Sequence, residues 1–305
     1  MPAAGAPDAE TRPATAPVWR VRERLIALDR PVLAGILNVT PDSFSDGGDF
    51  VSPDAALREA EKLLDAGADV LDIGGESTGP GAEPVSVSEE LRRVLPVVRA
   101  ARSRFPEAVL SVDTVKSDVA RAALDEGVNV INDVSATRLD ERMAAVCAAA
   151  GAGLILMHSR GTVSEMASFE HAQYPAGVTA EIVAELAACA AAARDAGVEE
   201  ECIVLDPGIG FSKRSEHSLA ALAGVPALAA LGYPVMVGVS RKRLIGEITG
   251  VSEPRERAMG TVGVNVMALA SGARMFRVHD VRGNRQALDA AWAVLRAGGG
   301  AANGA

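Results

Sequence analysis

Asn38, Asp72, Asp113, Asn132, His158, Asp206, Ser240 and His279 share a setting: each closes a short apolar run of this chain. Asp113, Asn132 and Asp206 bring two carboxylates and an amide from three separate runs. Converging on one pocket, they suit a flat heterocycle that carries several N–H donors. Singly, each could as well cap a helix or satisfy a buried loop. Ser240-Arg241-Lys242-Arg243 follows the seventh run, and Arg277-Val278-His279 ends the eighth. Strand alternation puts Arg277 and His279 on one side, and basic residues at a helix start oppose its macrodipole. An anion site explains both groups. After Asn38 comes Thr40-Pro41-Asp42-Ser43-Phe44-Ser45-Asp46-Gly47-Gly48, rich in hydroxyls and glycine. That string suits a phosphate or a metal–phosphate approached by backbone N–H groups, with the Asn38 carbonyl as a hard-cation ligand; a plain turn with an Asx cap is the alternative.

The elements that must position these residues are the runs 32–38, 69–73, 109–113, 128–132, 153–158, 202–206, 234–240 and 274–279, nearly all followed by a helical segment. Their Val/Ile/Leu content without alternation fits strands covered on both faces. Pro53-Asp54, Ser88-Glu89-Glu90, Ser117-Asp118 and Asp140 read as helix starts, and Gly67, Gly127 and Gly151 as stops. Residues 179–196 form an Ala-rich helix. The pattern predicts a single α/β (β/α)₈ TIM barrel over 18–297, with its chemistry at the C-terminal ends of the strands. The Ala/Pro-rich residues 1–17 and the residues 298–305 read as tails. Connections 40–49, 74–86 and 159–175 are longer than packing requires, and the first two read as functional.

A chain of 305 residues with 49% apolar content can build one large barrel core. Its net charge of −10 argues against a nucleic-acid partner. No apolar stretch reaches a membrane span, and the start lacks the basic-then-apolar order of a signal peptide. Cys147, Cys189 and Cys202 form no metal-ligand pattern and suit a reducing compartment, so a cytoplasmic protein is expected. Gly75-Glu76-Ser77-Thr78-Gly79 matches a nucleophile elbow, but the Gly79–Pro84 sequence that follows cannot be the helix an elbow needs. Asp206-Pro207-Gly208-Ile209-Gly210-Phe211 is too little for a dinucleotide fingerprint and reads as a flexible cover bearing Phe211. His171 and His217 read as structural or solvent-exposed, and His158 is open between a structural and a functional role.

Residues 36–48 and 69–84 resemble the two signature segments of the dihydropteroate synthase family, pterin-binding TIM-barrel enzymes. Residues 111–114, 131–133, 206–213, 240–242 and 277–280 resemble its remaining blocks in order, so the similarity runs from about Pro31 to Trp292. The resemblance implies condensation of p-aminobenzoate with 7,8-dihydropterin-6-ylmethyl diphosphate, giving dihydropteroate and pyrophosphate in folate biosynthesis. By position, Asp113, Asn132, Asp206 and Lys242 would hold the pterin, and Arg277 would lie over its ring and reach the diphosphate. Asn38 would ligate Mg²⁺, with His279 and Thr78 on the diphosphate side. Phe44, Thr78, Pro80 and Phe211 would form the p-aminobenzoate pocket, and the helix start at Arg243 would take its carboxylate. Asp113, Lys242, Arg277 and His279 would carry the catalysis. A sulfonamide target and a homodimer are also implied. Relatives usually read E-S-T-R-P-G in the second loop, where this chain has Gly79 for the Arg. The alternatives are a methyltetrahydrofolate-binding methyltransferase module, which would lack the first loop and the S-R-K block, and a pterin-binding protein without catalysis.

Overall fold

The computed structural model describes residues 17–40, 53–77, 79 and 83–300. Eight strands form one parallel sheet: β3 (Val32–Asn38), β4 (Val70–Gly74), β5 (Val109–Asp113), β6 (Val130–Asp133), β7 (Gly153–Met157), β8 (Ile203–Asp206), β9 (Met236–Val237) and β10 (Met275–Val278). Neighbours follow chain order from β3 to β8, and β10 lies between β3 and β9. A parallel bridge between Leu205 and Val235 closes the ring. The helices are α1 (Pro53–Asp65), α2 (Val87–Arg104), α3 (Ser117–Asp125), α4 (Met143–Ala150), α5 (Val178–Asp195), α6 (Ser215–Ala223), α7 (Val225–Ala229), α8 (Arg243–Thr249), α9 (Ala258–Ala270) and α10 (Val281–Gly300). The result is the expected (β/α)₈ barrel.

Alternation along the strands sorts the barrel into layers. Outward residues such as Leu33, Leu71, Leu110, Ile131, Leu154, Ile203 and Phe276 join the helices in the large outer core. Inward at the start of the strands, Ala34, Val70, Val130, Ile155, Val204, Met236 and Met275 make a separate apolar cluster. Two residues further along those strands stand Ile36, Asp72, Asn132, Met157, Asp206, Gly238 and Arg277. A period of two keeps them on the inner face, so within one step the barrel interior turns from apolar to polar. That step is the base of the site.

The bottom of the barrel is shut by a hairpin that sequence reading did not anticipate: β1 (Val18–Val21) pairs antiparallel with β2 (Arg24–Ala27). Trp19 is fully buried in the lower cluster, and its Nε1–H donates to the Cys202 carbonyl at 2.9 Å. A Cβ at Gly153 would come within 2.7 Å of Val21 and 2.9 Å of Trp19. Glycine at the start of β7 therefore lets the hairpin reach the barrel floor.

Element ends depart from expectation in places with local causes. Asp140 does not open α4. It forms a turn, and its carboxylate accepts the Ser117 backbone N–H at 2.9 Å, capping α3 from across the loop. The seventh strand shrinks to two residues; Pro234 has no N–H to donate, although its carbonyl accepts from Leu205 at 2.9 Å. Helix α10 continues to Gly300, past the expected end of the barrel at residue 297.

Candidate active site

At the C-terminal ends of the strands lies a cavity of ≈ 510 Å³. Asn38, Asp113, Asn132, Asp206, Phe211, Lys242, Arg243, Arg277 and His279, all expected at the site, line it. Phe44, Thr78 and Pro80 lie outside the described residues.

Arg277 occupies the middle of the floor. Its Nε donates to Asp72 Oδ2 at 2.6 Å and its Nη2 to Asp113 Oδ2 at 2.8 Å. Burial works against the guanidinium charge, but Asp72 and Asp113 outweigh it and raise its pKa. For Asp113 the balance is reversed: burial, joined by the charge of Asp72, outweighs Arg277 and lifts the carboxyl to about 7. Asp72 is 1% exposed. It also accepts from Ser111 Oγ at 2.6 Å and from Asn132 Nδ2 at 3.2 Å. The strand reading put Asp72 among the strand-end residues but assigned it no role. The missed signal is its parity, because an inward carboxylate one step above an apolar layer needs a cation, and Arg277 has the same parity.

Asp206 forms the opposite wall. Its Oδ1 accepts the Gly208 N–H at 2.7 Å, and burial raises its pKa. Lys242 lies with its Nζ 4.2 Å from the Phe211 ring centroid and donates to the Ile209 carbonyl. Burial and the nearby Arg277 bring its amine down to about 7, against the pull of Asp206. Together these groups make a slot with acceptors on two sides, a cation and an aromatic face.

At the upper edge, Ser240 Oγ accepts the His279 backbone N–H at 3.2 Å and lies 2.9 Å from His279 Nδ1. The hydroxyl can give its own proton to Nδ1 or take one from it, so the contact holds the ring in place in either tautomer. Burial, with Arg241, Arg277 and Lys242 nearby, pushes its pKa to about 3. His279 therefore stands at the rim as a neutral imidazole.

The segment 206–213 is not the loose cover expected. Lys213, 1% exposed, donates from Nζ toward the carbonyls of Gly208 (3.1 Å) and Phe211 (3.0 Å) and toward His158 Nδ1 (2.8 Å). Gly208 has φ +65°, and a Cβ there would sit 1.9 Å from the His158 carbonyl oxygen. The segment is clasped from behind, which holds Phe211 against the cavity. His158 is part of the clasp; its Nε2 lies 3.1 Å from Glu185 Oε2. Its role is therefore structural. His171 and His217 do not line the cavity: His171 meets Glu165 at 3.2 Å, and His217 packs edge-on to Tyr174.

The second loop is anchored by charges that sequence reading also missed. Lys116 Nζ donates to Glu76 at 2.8 Å and to Glu90 at 2.6 Å, and the other Glu76 oxygen accepts the Val85 N–H at 2.8 Å. Both ends of the loop are thereby tied together at the mouth. Among the described residues, the next helix after Ser77 begins at Val87. Arg243 opens α8 with its guanidinium 4.3 Å from the Phe169 ring centroid and 3.2 Å from Glu247.

Compared with known proteins, residues 34–279 match the family described as pterin binding enzyme. A dihydropteroate synthase of Synechocystis sp. is 42% identical over 267 residues, 88% of this chain and 91% of that protein. The solved structure of Xanthomonas albilineans dihydropteroate synthase with 4-aminobenzoic acid superposes with a TM-score of 0.85 at 42% identity, covering 93% of this chain and 99% of that one. A Yersinia pestis dihydropteroate synthase in complex with a sulfonamide drug gives 0.83 at 38% identity, over 92% and 99%.

Proposed function

Because this chain belongs to the dihydropteroate synthase family of pterin-binding enzymes, we propose that it condenses 7,8-dihydropterin-6-ylmethyl diphosphate with p-aminobenzoate, releasing dihydropteroate and pyrophosphate. The observation that carries this reading is the slot itself: Asp113, Asn132 and Asp206 face it with Lys242, Arg277 and His279. Acceptors match the N–H edge of a dihydropterin, and donors at the rim match a diphosphate.

In this reading the pterin ring is hydrogen-bonded to Asp113, Asn132, Asp206 and Lys242, with Arg277 over its face. The diphosphate meets the guanidinium of Arg277 and the ring of His279, with Thr78 assigned to the same side by the sequence alone. The bond from the pterin methylene carbon to oxygen breaks, and its electron pair leaves with pyrophosphate. The aniline nitrogen of p-aminobenzoate then bonds to that carbon and gives up a proton. Buried carboxylates stabilise the positive charge that develops on the pterin, and fixed donors stabilise the leaving group. No covalent attachment to the protein is needed. Phe211, which lines the cavity, borders the aminobenzoate ring, with Phe44, Thr78 and Pro80 assigned to that pocket by the sequence alone. The aminobenzoate carboxylate lies at the start of α8 by Arg243; a sulfonamide would compete there.

Asn38 presents a neutral carbonyl oxygen at the cavity, opposite Gly74, where a side chain would stand 3.6 Å from Asn38 Oδ1. One neutral protein oxygen beside a diphosphate fits Mg²⁺, which keeps most of its waters and leans on substrate phosphates. Bound there, it would withdraw charge from the leaving group.

A homodimer and a cytoplasmic location belong to the same reading. Met259 and Met267, 80% and 67% exposed on one face of α9, offer apolar surface for a second copy to cover. Light scattering on the purified protein tests this. The unpaired Cys147, Cys189 and Cys202 suit a reducing compartment. Turnover decides the main proposal: mass spectrometry should find dihydropteroate, with one pyrophosphate per product, from the two substrates and Mg²⁺. Tight pterin binding without product would instead make this a pterin-binding protein lacking catalysis, and transfer of a methyl group to a corrinoid would make it a methyltransferase module.

A further inference from the structure

Asp72 does not line the cavity, yet two of the residues that do depend on it. It is 1% exposed, on β4 in the polar layer that forms the base of the site. One oxygen, Oδ2, takes hydrogen bonds from Arg277 Nε at 2.6 Å and from Asn132 Nδ2 at 3.2 Å. The other, Oδ1, is held by Ser111 Oγ at 2.6 Å. An ionised carboxylate only accepts. Any side-chain amide that faces it must do so with its NH₂. The carboxylate therefore decides which way the Asn132 amide is turned, and Asn132 Oδ1 is left buried with no partner. A buried acceptor without a donor is costly. Asn132 lines the cavity, where a ligand N–H can satisfy it.

The same carboxylate sets the direction of Arg277. With Nε on Asp72 and Nη2 on Asp113, the guanidinium plane is pinned along one edge. Among the described residues nothing accepts from Nη1, so that end is left to an anion.

We propose that Asp72 is a positioning residue that fixes Asn132 as an acceptor and turns the free end of Arg277 toward the anion, and so sets the preference for a ring bearing an amino group over one bearing an oxo group. This rests on the pterin-binding reading above. Asp72 itself touches neither substrate.

The test compares two probes that lack the diphosphate, 6-hydroxymethylpterin and 6-hydroxymethyllumazine. They differ at C2, where the amino donor of the first is an oxo acceptor in the second, and at N1, an acceptor in the first that carries a hydrogen in the second. Calorimetry gives the ratio of their affinities for the wild type and for Asp72→Asn. The asparagine can still bond Ser111, but it no longer forces one orientation on Asn132. The ratio should fall roughly tenfold in the variant, the worth of about one hydrogen bond, and affinity for inorganic pyrophosphate should fall several-fold as Arg277 loses an anchor. Equal loss of affinity for both probes with an unchanged ratio would show a merely structural Asp72 and overturn the proposal. A wild type that binds neither probe would instead overturn the pterin reading, and the proposal with it. Should Asp72→Asn not fold, neutron diffraction of the deuterated wild type decides the matter: Asn132 with its oxygen toward the cavity supports the proposal, and its NH₂ there refutes it.

Discussion

Asp113 and Lys242 move toward each other on the pH scale. Burial, resisted by Arg277 and assisted by Asp72, lifts Asp113 to about 7; burial, with Arg277 near, lowers Lys242 to about 7. The proposed pterin site needs the carboxylate ionised and the amine protonated. kcat/KM for the diphosphate substrate should therefore drop on both sides of neutrality. The acid limb follows proton uptake by Asp113 and the alkaline limb follows proton loss from Lys242. Lys242→Arg keeps a cation at all working pH, so the alkaline limb should vanish at whatever rate remains. A wild-type profile flat from about pH 6 to about pH 9 would count against both assignments. Asp206→Ala should weaken pterin binding by about 1.5–3 kcal/mol, the usual loss when a charged hydrogen-bond partner goes. Titration calorimetry reads this directly, and unchanged affinity would reduce Asp206 to the cap of Gly208 that the structure also shows.

Two connecting segments border the cavity. In the second loop Gly79 is exposed, its N–H reaches Ser77 Oγ at 3.3 Å, and among the described residues an added Cβ would meet only that hydroxyl, at 3.4 Å. A side chain fits there without strain. Gly79→Arg would narrow the open-loop ensemble, an effect of about 0.5–1 kcal/mol. It would also bring a cation near the diphosphate. Steady-state kinetics should show kcat/KM rising roughly three- to thirty-fold for one or both substrates; no rise would mean that Arg243 or Arg282 already supplies the charge. The segment 206–213 behaves differently because Lys213 clasps it. Burial pushes the Lys213 amine well below its usual range, and its donors satisfy carbonyls that would otherwise lie buried and bare. Lys213→Met should cost about 2–4 kcal/mol in urea unfolding. It should also raise KM for p-aminobenzoate more than it changes kcat, since Phe211 loses its backing.

Across the whole barrel, stability and chemistry sit at opposite ends. The lower apolar layer and the hairpin plug bury Trp19 completely, while the polar layer two residues further along the strands faces the cavity. Trp19→Ala should therefore destabilise the fold by about 3–5 kcal/mol and leave KM for both substrates near the wild-type value below the melting temperature. Denaturant titration and kinetics on the same preparation check both halves. A large KM effect would mean that the floor transmits strain to the site.

The amino-acid sequence by itself determined the strand runs, most helix starts and the face that carries chemistry, because these follow from periods of two and 3.6 and from local capping. The residues 32–38 and 109–113 are strands as expected, and Asp113, Asn132, Asp206, Lys242, Arg277 and His279 meet in one cavity. Only the tertiary structure decided who pairs with whom across the barrel. Arg277 and Asp72 are 205 residues apart, and Lys213 and His158 are 55. Such partners depend on how the closed sheet is staggered and on the hydrogen-bond capacity each buried group must satisfy, which no local pattern expresses. Hence Asp72 had no assigned role until Arg277 and Asn132 were seen on it. The contact of Ser240 with His279, 39 residues apart, was likewise invisible, and the Asp206–Lys213 segment read as loose until its buried lysine was found. The hairpin stayed hidden for the same reason: four-residue strands with a charged turn carry little signal alone, and only the open bottom of a barrel gives Trp19 a place to go.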